Sequence, residues 1–569
     1  MKTISAQLSY FFEDKEVRRN FPLLLRVIGL VVAVVLVFTV AFHFIMYYAE
    51  GEYHSWITGL YWTLTVMSTL GFGDITFTPD IGRLFSVIVL VTGIILLLVV
   101  LPFAFIRFFY APWLKAQIQN RAPRELPPET EGHVIIAARD AIAPGFIEAL
   151  DREDIPYVII GPDAATASDW YIEGISAVIG EIDSKVTYEN LRADRARLLV
   201  ANRDDADNTN LTLTAREVAP DVPIAAIARD DNAVDILELS GATHVLPLKR
   251  WLGEQLANRV RAQQVGLQPI GEYGDLKIAE LPVRNTPLSG KTIRETELRQ
   301  KTGVNIIGVW ERGPLQSPNP SHQLSDASVP VVMGTAAQLK RLNEEIATGR
   351  PYQNPIVVIG GGTVGEAAIR ALGEQGVPVN LVERDPDRCE RLRDRCENVY
   401  EGDASNYRVI HEAGIAEASA VLLTTNDDAI NVYLTSYCRN LNPELRIVSR
   451  ITRARNLDAI YRAGADFVLS YTTLGVDALL AILRGKELMV LGEGVDLFAR
   501  RVPDSLVGQT LRESHIGAET GLTVVAIEEA GEDAETITEL APEMELESEM
   551  ELLLIGSDEQ LERFIERYE

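Results

Sequence analysis

The chain has only three cysteines in 569 residues, Cys389, Cys396 and Cys438. They lie in one stretch, without metal-ligand spacing and without histidine partners. This excludes a disulfide framework and a cysteine-ligated zinc, and it reads as packed, inert thiols in a reducing compartment. No serine–histidine constellation stands out, and no loop has EF-hand spacing. Positive charge is scarce too. The formal net charge is −28, with residues 1–130 at +1 and the remainder at −29. So acidic a body argues against nucleic acid as a partner.

Charge is missing altogether from two apolar segments, residues 27–49 and 84–106. Each has the roughly 20 residues that a helix needs to cross hydrocarbon, and a soluble core helix rarely runs so long without a polar face. They place membrane spans at 22–49 and 82–109. The first starts too far into the chain to be a cleaved signal peptide. Residues 50–82 contain no Lys or Arg but carry Glu50, Glu52, Asp74 and Asp80. Lys15, Arg18, Arg19 and Arg26 precede the first span, and Arg107, Lys115, Arg121 and Arg124 follow the second. The positive-inside rule then puts both termini in the cytoplasm of a multi-pass protein of the cell (inner) membrane.

Between the spans, residues 54–78 read as a pore loop. Residues 55–67 are a candidate re-entrant helix, and Thr69-Leu70-Gly71-Phe72-Gly73-Asp74 follows it. This Thr-x-Gly-aromatic-Gly-Asp run resembles the selectivity filter of potassium channels; a plain glycine turn is the other reading. In a filter, K+ exchanges its hydration oxygens for the backbone carbonyls of Thr69, Leu70, Gly71 and Phe72. Gly71 and Gly73 supply backbone angles that other residues adopt at a cost. Asp74 attracts cations at the mouth. Leu70 and Phe72 stand where Val and Tyr are commonest in that family. Phe72 lacks the hydroxyl that braces such a filter, which leaves room for some sodium leak. Trp56, Tyr61 and Trp62 either brace the filter or form an interfacial belt. Gly93 is a candidate hinge of an inner-helix gate, or a site of close helix packing. Irregular backbone at membrane depth must be enclosed by protein, so one chain demands a ring of subunits.

After a proline-bearing linker, residues 110–130, the chain repeats itself. Leu288-Ser-Gly-Lys-Thr-Ile-Arg-Glu295 matches Leu506-Val-Gly-Gln-Thr-Leu-Arg-Glu513, and Asp204-Asp205-Ala206 matches Asp427-Asp428-Ala429. Two homologous units follow from this, 131–350 and 351–569. Each alternates short Val/Ile runs with helical stretches, the pattern of a Rossmann-type α/β fold with a buried parallel sheet. These N-lobes are set at 131–250 and 354–475. Smaller α+β C-lobes follow at 265–345 and 485–569. With the pore, at 1–109, the expected fold is a membrane α-helical pore joined to two cytoplasmic α/β units.

The second unit carries a nucleotide fingerprint. A strand, Ile356 to Ile359, runs into Gly360-Gly361-Gly362-Thr363-Val364-Gly365, which fits G-x-G-x-x-G and precedes a helix. In that motif the glycines serve a tight turn, close approach of the pyrophosphate and helix–sheet packing. Glu383, about 20 residues on, suits ribose hydroxyls and favours NAD, ADP or ATP over a 2′-phosphate; neighbouring Arg384 blurs that choice. Asp403 and Ala404 are placed near the adenine, Thr425 and Asn426 near the phosphates. The first unit has Ala138, Asp140 and Ala143 where the glycines would be, so a dinucleotide is not expected there.

Filter, spans, linker and duplicated units together resemble the prokaryotic two-transmembrane potassium channels with tandem RCK domains (regulator of potassium conductance, TrkA-N and TrkA-C-like). The resemblance implies a homotetramer with eight RCK units beneath one pore, in a lipid bilayer, gated by an adenine nucleotide. No methionine lies between Met67 and Met333, so four chains are expected to supply all eight. The resemblance also brings Ca2+ as a second regulator, near Glu181 and Asp183 or the acidic segment Glu528 to Glu549. An enzyme is not expected. The competing readings are a membrane-anchored NAD-dependent oxidoreductase and a nucleotide sensor with a non-conducting pore.

Overall fold

The computed structural model describes residues 15–107, 122–261, 267–273, 276–284, 286–311, 313, 315–326, 328–346, 355–485, 495–528, 536–537 and 540–569. Most of the expected linker, the last two residues of the second span, the junction between the repeats and part of the acidic segment after Glu528 lie outside them. The chain divides into two compact units, Met1–Arg124 with Gly161–Ile179, and Glu125–Ile160 with Gly180–Glu569.

The first unit is a helical hairpin around a re-entrant helix. The first helix, Lys15–Ile45, continues through the π-turns of Met46–Glu50. The return helix is α over Asp80–Gly93, π over Ile94–Val100 and α again over Leu101–Phe105. The apolar stretches Leu25–Glu50 and Asp80–Phe105 are each 26 residues long. At the α-helical rise that is about 39 Å, enough to span hydrocarbon with tilt. Between them the helix Trp56–Met67 starts at Ser55, whose hydroxyl accepts from the Thr58 N–H at 3.2 Å. Phe42, Trp62, Phe77 and Val89 make the buried centre, with Phe85 packed on it. Side chains such as Leu36, Val37 and Leu98 face outward and remain exposed.

The second unit is α/β throughout. Its first parallel sheet places Tyr157–Gly161, Val134–Ile136, Leu198–Ala201, Ile224–Ile227 and His244–Leu246 side by side in that order. The other parallel sheet has six strands: Asn398–Glu401, Val379–Glu383, Ile356–Ile359, Ala420–Leu423, Arg446–Ile451 and Phe467–Ser470. The chain order reverses beside Ile356–Ile359, which creates a crevice at the carboxyl ends of these strands. The central strands are buried residue by residue, because helices cover both faces. Two four-stranded antiparallel sheets complete the unit. One is built from Gln268–Tyr273, Leu276–Glu280, Val329–Thr335 and Asn305–Trp310, the other from Asp496–Arg501, Glu551–Gly556, Thr523–Glu528 and Thr536–Ile537.

The two halves of this unit are clasped by exchanged helices. Leu248–Arg261, which ends the first Rossmann lobe, lies on Thr363–Glu374 of the second. Tyr471–Arg484, which ends the second, lies on Ala143–Arg152 of the first. Glycine permits both contacts. A methyl group at Gly253 would sit 2.3 Å from the Val364 carbonyl oxygen, and one at Gly475 would sit 2.6 Å from Ile142 Cδ1. A buried ion pair, Arg259 with Glu280, ties the first of these helices to the neighbouring antiparallel sheet, both side chains being 1 % exposed.

Candidate functional sites

The residues after Met67 form a non-helical hairpin braced from one side. Gly71 and Gly73 adopt φ of 43° and 76°, and Thr69 joins them at 64°. The Leu70 and Gly71 N–H groups both donate to the Thr65 carbonyl, at 2.9 and 3.2 Å. Tyr61 donates its hydroxyl to Asp74 Oδ2 at 3.1 Å, and its ring stacks on Phe72 at 6.4 Å between centroids. Trp62 donates Nε1–H to the Ile75 carbonyl at 3.2 Å from within the aromatic centre. Tyr61 and Trp62 therefore touch the hairpin directly. Trp56 instead stacks on His43. At the outer end the Glu50 carboxylate accepts the Thr78 N–H at 2.6 Å and its hydroxyl at 2.9 Å. Gly93 is buried where α-helix gives way to π-helix, and a methyl group there would meet the Met67 carbonyl oxygen at 2.3 Å.

The crevice of the six-stranded sheet opens as a cleft of about 470 Å³, within the usual range for ligand pockets. Gly360, Gly362, Thr363 and Val364 form its floor, and Glu383, Arg384 and Arg388 one end. Asp403 and Ala404 line it beside Gly402. Thr425, Asn426 and Asp427 line the side toward Arg450. Gly361 and Gly365 are set behind this surface. The glycines divide the work. Gly360 has φ of 105°, where an L side chain is strained. A methyl at Gly365 would lie 1.9 Å from the Gly360 carbonyl oxygen, so this glycine seats the helix on the strand. At Gly362 nothing lies closer than Arg388 Nη1, at 3.8 Å. The floor is thus open at Gly362, at the N-terminus of Thr363–Glu374, where backbone N–H groups and the helix dipole favour an anion.

Glu383 is only 7 % exposed. One carboxylate oxygen accepts from the Gly361 N–H; the other accepts from Arg384 and Asp385 N–H at 2.7 and 2.9 Å. It fixes the turn as well as facing the cleft. Asp403 accepts from the Ser405 N–H, which holds its carboxyl below the usual value. The lining carries Lys249, Arg384, Arg388 and Arg450 against Glu383, Asp403 and Asp427. In a chain of net charge −28 this cleft has an excess of cations. Lys249 and Arg450 were not among the expected site residues. Lys249 arrives on the clasping helix from the other half of the unit, and no local pattern announces that.

The equivalent place in the first half is filled by its own side chain. Asp140 Oδ1 accepts from the Ile142 and Ala143 N–H groups at 3.1 and 3.0 Å, and from Asn202 Nδ2 at 2.9 Å. The carboxylate thus engages the N–H groups at the start of the helix Ala143–Arg152, at the position equivalent to Gly362. Burial raises the Asp140 pKa, against the pull of these hydrogen bonds.

Glu181 and Asp183 join no cluster: among the described residues no group of three His, Cys, Asp or Glu side chains is arranged to hold a metal. The acidic segment after Glu528 lies partly outside those residues.

An ion-channel family profile matches residues 31–110. The TrkA-N domain matches 134–247 and 356–471, and the TrkA-C domain matches 278–347 and 497–568. A solved structure, the GsuK channel bound to NAD, is 37 % identical over 96 % of this chain and 99 % of its own, with a TM-score of 0.55. A second structure of the GsuK channel is 38 % identical over the same shares, with a TM-score of 0.56. Probable potassium channel protein 2 of Methanocaldococcus jannaschii is 25 % identical over 337 residues, 56 % of this chain and 95 % of that protein. At these identities the chain is a relative of GsuK and not the same sequence. It belongs to the two-transmembrane potassium channels with tandem RCK domains.

Proposed function

We propose that the protein is a K+ channel of the cell membrane whose RCK units sense an adenine nucleotide and gate the pore. Four chains surround the pore, with residues 69–74 of each forming the selectivity filter. Residues 69–74 are non-helical, and such backbone at membrane depth has to be enclosed by protein or a water-filled cavity, which neighbouring subunits supply. Both termini face the cytoplasm. Residues 1–109 form the pore domain, 110–130 the linker, and 131–350 and 351–569 the two RCK units.

One observation carries the nucleotide reading: a cation-rich cleft in an acidic chain, with an open glycine floor at a helix N-terminus and Glu383 at its end. The GsuK structure bound to NAD supports the same ligand class. The first RCK unit, capped by Asp140, serves assembly and coupling. Among the described residues no third acidic side chain joins Glu181 and Asp183, and we assign no Ca2+ to them.

Ligand acts only by binding open and closed rings with different affinity. A tenfold preference is worth about 1.4 kcal/mol at each site. Four sites together give roughly 5.6 kcal/mol, close to what a 1:99 to 99:1 switch requires. The test is single-channel recording in planar bilayers with NAD or ADP on the RCK side. Open probability is expected to change with half-saturation at the measured dissociation constant. Unchanged open probability with binding verified removes the gating; absence of K+ current under every condition removes the channel.

A further inference from the structure

The glycine cleft of the second RCK unit is not closed by that unit alone. Lys249, on the clasping helix Leu248–Arg261, lines the cleft beside Arg450. Its helix is pressed onto the start of Thr363–Glu374, since Gly253 lies against the Val364 carbonyl. Lys249 is one turn earlier, on the side of the phosphate-binding N-terminus.

The two cations are poorly matched by the protein. Arg450 is 8 % exposed. Its Nη2 donates to Thr452 Oγ1 at 3.0 Å, but its Nε is buried without an acceptor among the described residues. Asp428, the carboxylate that favours its charge, is already taken by the N–H groups of Thr452 and Arg453 and by Asn456. Lys249 reaches one backbone carbonyl, that of Arg229, at 3.4 Å. Burial lowers its pKa, and the nearby charges of Arg229 and Arg450 add to that; Asp205 and Asp230 oppose it. Asp205 and Asp230 are themselves engaged, by the Arg229 and Asp230 N–H groups and by Asn232. A half-buried lysine beside a buried arginine is costly unless an anion joins them.

The duplication supplies a control inside the same molecule. Leu252-Gly253 and Leu474-Gly475 are equivalent on the two clasping helices, and this puts Tyr471 where Lys249 stands. Tyr471 belongs to the helix lying over the half whose anion site is filled by Asp140, and burial and the Asp140 charge push its pKa up to about 12. The position is neutral where the anion is built in, and cationic where the cleft is open.

We propose that Lys249 of the first RCK unit, with Arg450, binds the phosphates of the nucleotide held by the second, so that the ligand bridges the two units and Leu248–Arg261 is the helix that responds to it. This rests on the nucleotide reading above. It makes the phosphate chain, and not the adenosine alone, the part of the ligand that the first unit detects.

The test uses full-length channel in detergent, with Lys249→Gln, Lys249→Arg and a surface control, Lys301→Gln, titrated calorimetrically with ADP, NAD and adenosine. Lys249→Gln is expected to weaken ADP and NAD about tenfold or more, the loss of one charge-assisted hydrogen bond, and to leave adenosine unchanged. Lys249→Arg is expected to stay within a few-fold of wild type, and Lys301→Gln to change nothing. Hydrogen exchange adds an independent readout. ADP should protect the amides of 248–261 in wild type and fail to do so in Lys249→Gln at saturation. Equal ADP affinity in wild type and Lys249→Gln, or a loss shared equally by adenosine, overturns the proposal while the nucleotide site stands. If wild type binds no adenine nucleotide, the site and the proposal fall together.

Discussion

Asp140 and Asn202 form a closed pair. Asn202 donates Nδ2–H to Asp140 Oδ1 at 2.9 Å, and its own Oδ1 accepts from the Ala138 N–H, also at 2.9 Å. The helix N-terminus of the first Rossmann lobe is thereby satisfied without a ligand. Asp140→Ala strands the N–H groups of Ile142 and Ala143 and one amide hydrogen of Asn202. It is expected to cost about 1–3 kcal/mol, read as a lower melting temperature of the purified channel.

The same carboxyl gives a signed pH dependence. Burial raises the folded Asp140 pKa above its unfolded value, so the folded state holds the proton more tightly. The stability this contributes is fully present below the unfolded value, about pH 4, and is lost as pH rises through the folded one. Asp140 therefore contributes a decline across that window, and Asp140→Asn should remove that contribution, read as a variant-minus-wild-type melting temperature that rises with pH. A profile unchanged by Asp140→Asn would contradict the assignment.

The glycines of the second unit predict opposite phenotypes from the same substitution. Gly365→Ala places a methyl 1.9 Å from the Gly360 carbonyl oxygen, which backbone movement alone can relieve, at about 1–3 kcal/mol or more. Gly362→Ala meets nothing within 3.8 Å, so it should fold and melt like wild type. Its methyl projects where a phosphate would approach, and nucleotide affinity should fall at least tenfold. Calorimetric titration and thermal melting on both variants separate the two effects.

The Arg259–Glu280 pair, almost fully buried, anchors the far end of the helix that carries Lys249. The guanidinium also lies 4.5 Å from the centroid of Phe467. Glu280→Gln leaves a buried charge without its counter-ion and is expected to cost about 3–5 kcal/mol. Replacing both partners by leucine should recover most of that loss. The order of melting temperatures, wild type and double variant above the single, is the check.

Much of this was legible in the sequence because the forces are local. Hydrocarbon requires long uncharged helices, so both spans stand out. A parallel sheet covered on two faces requires Val/Ile runs, so the βαβ repeats stand out as well. The glycine loop, Glu383 and Asp403 were legible as one cluster because strand ends of such a sheet share an edge. Lys249 and Arg450 were not, since Lys249 comes from the other half of the unit on a packed helix. Loss of the glycines near Asp140 was visible; the capping of the helix by that carboxylate was a matter of geometry. The change from α to π at Ile94 left no trace either, because Ile94–Val100 reads equally well as either helix.

Gly93 offers a choice between a hinge and a contact. A methyl at this position would lie 2.3 Å from the Met67 carbonyl oxygen and 2.4 Å from its Cα. Both obstacles are backbone, so no rotamer change can relieve them, and the return helix has to move away from the end of Trp56–Met67. That end supports the hairpin, since Leu70 and Gly71 donate to the Thr65 carbonyl. Gly93→Ala is therefore expected to lower both the melting temperature and the rubidium flux from reconstituted vesicles, with or without nucleotide. A residue serving only as a hinge would lose nucleotide dependence while keeping its melting temperature. Wild-type stability in Gly93→Ala would mean that the close approach to Met67 is not what this glycine is for.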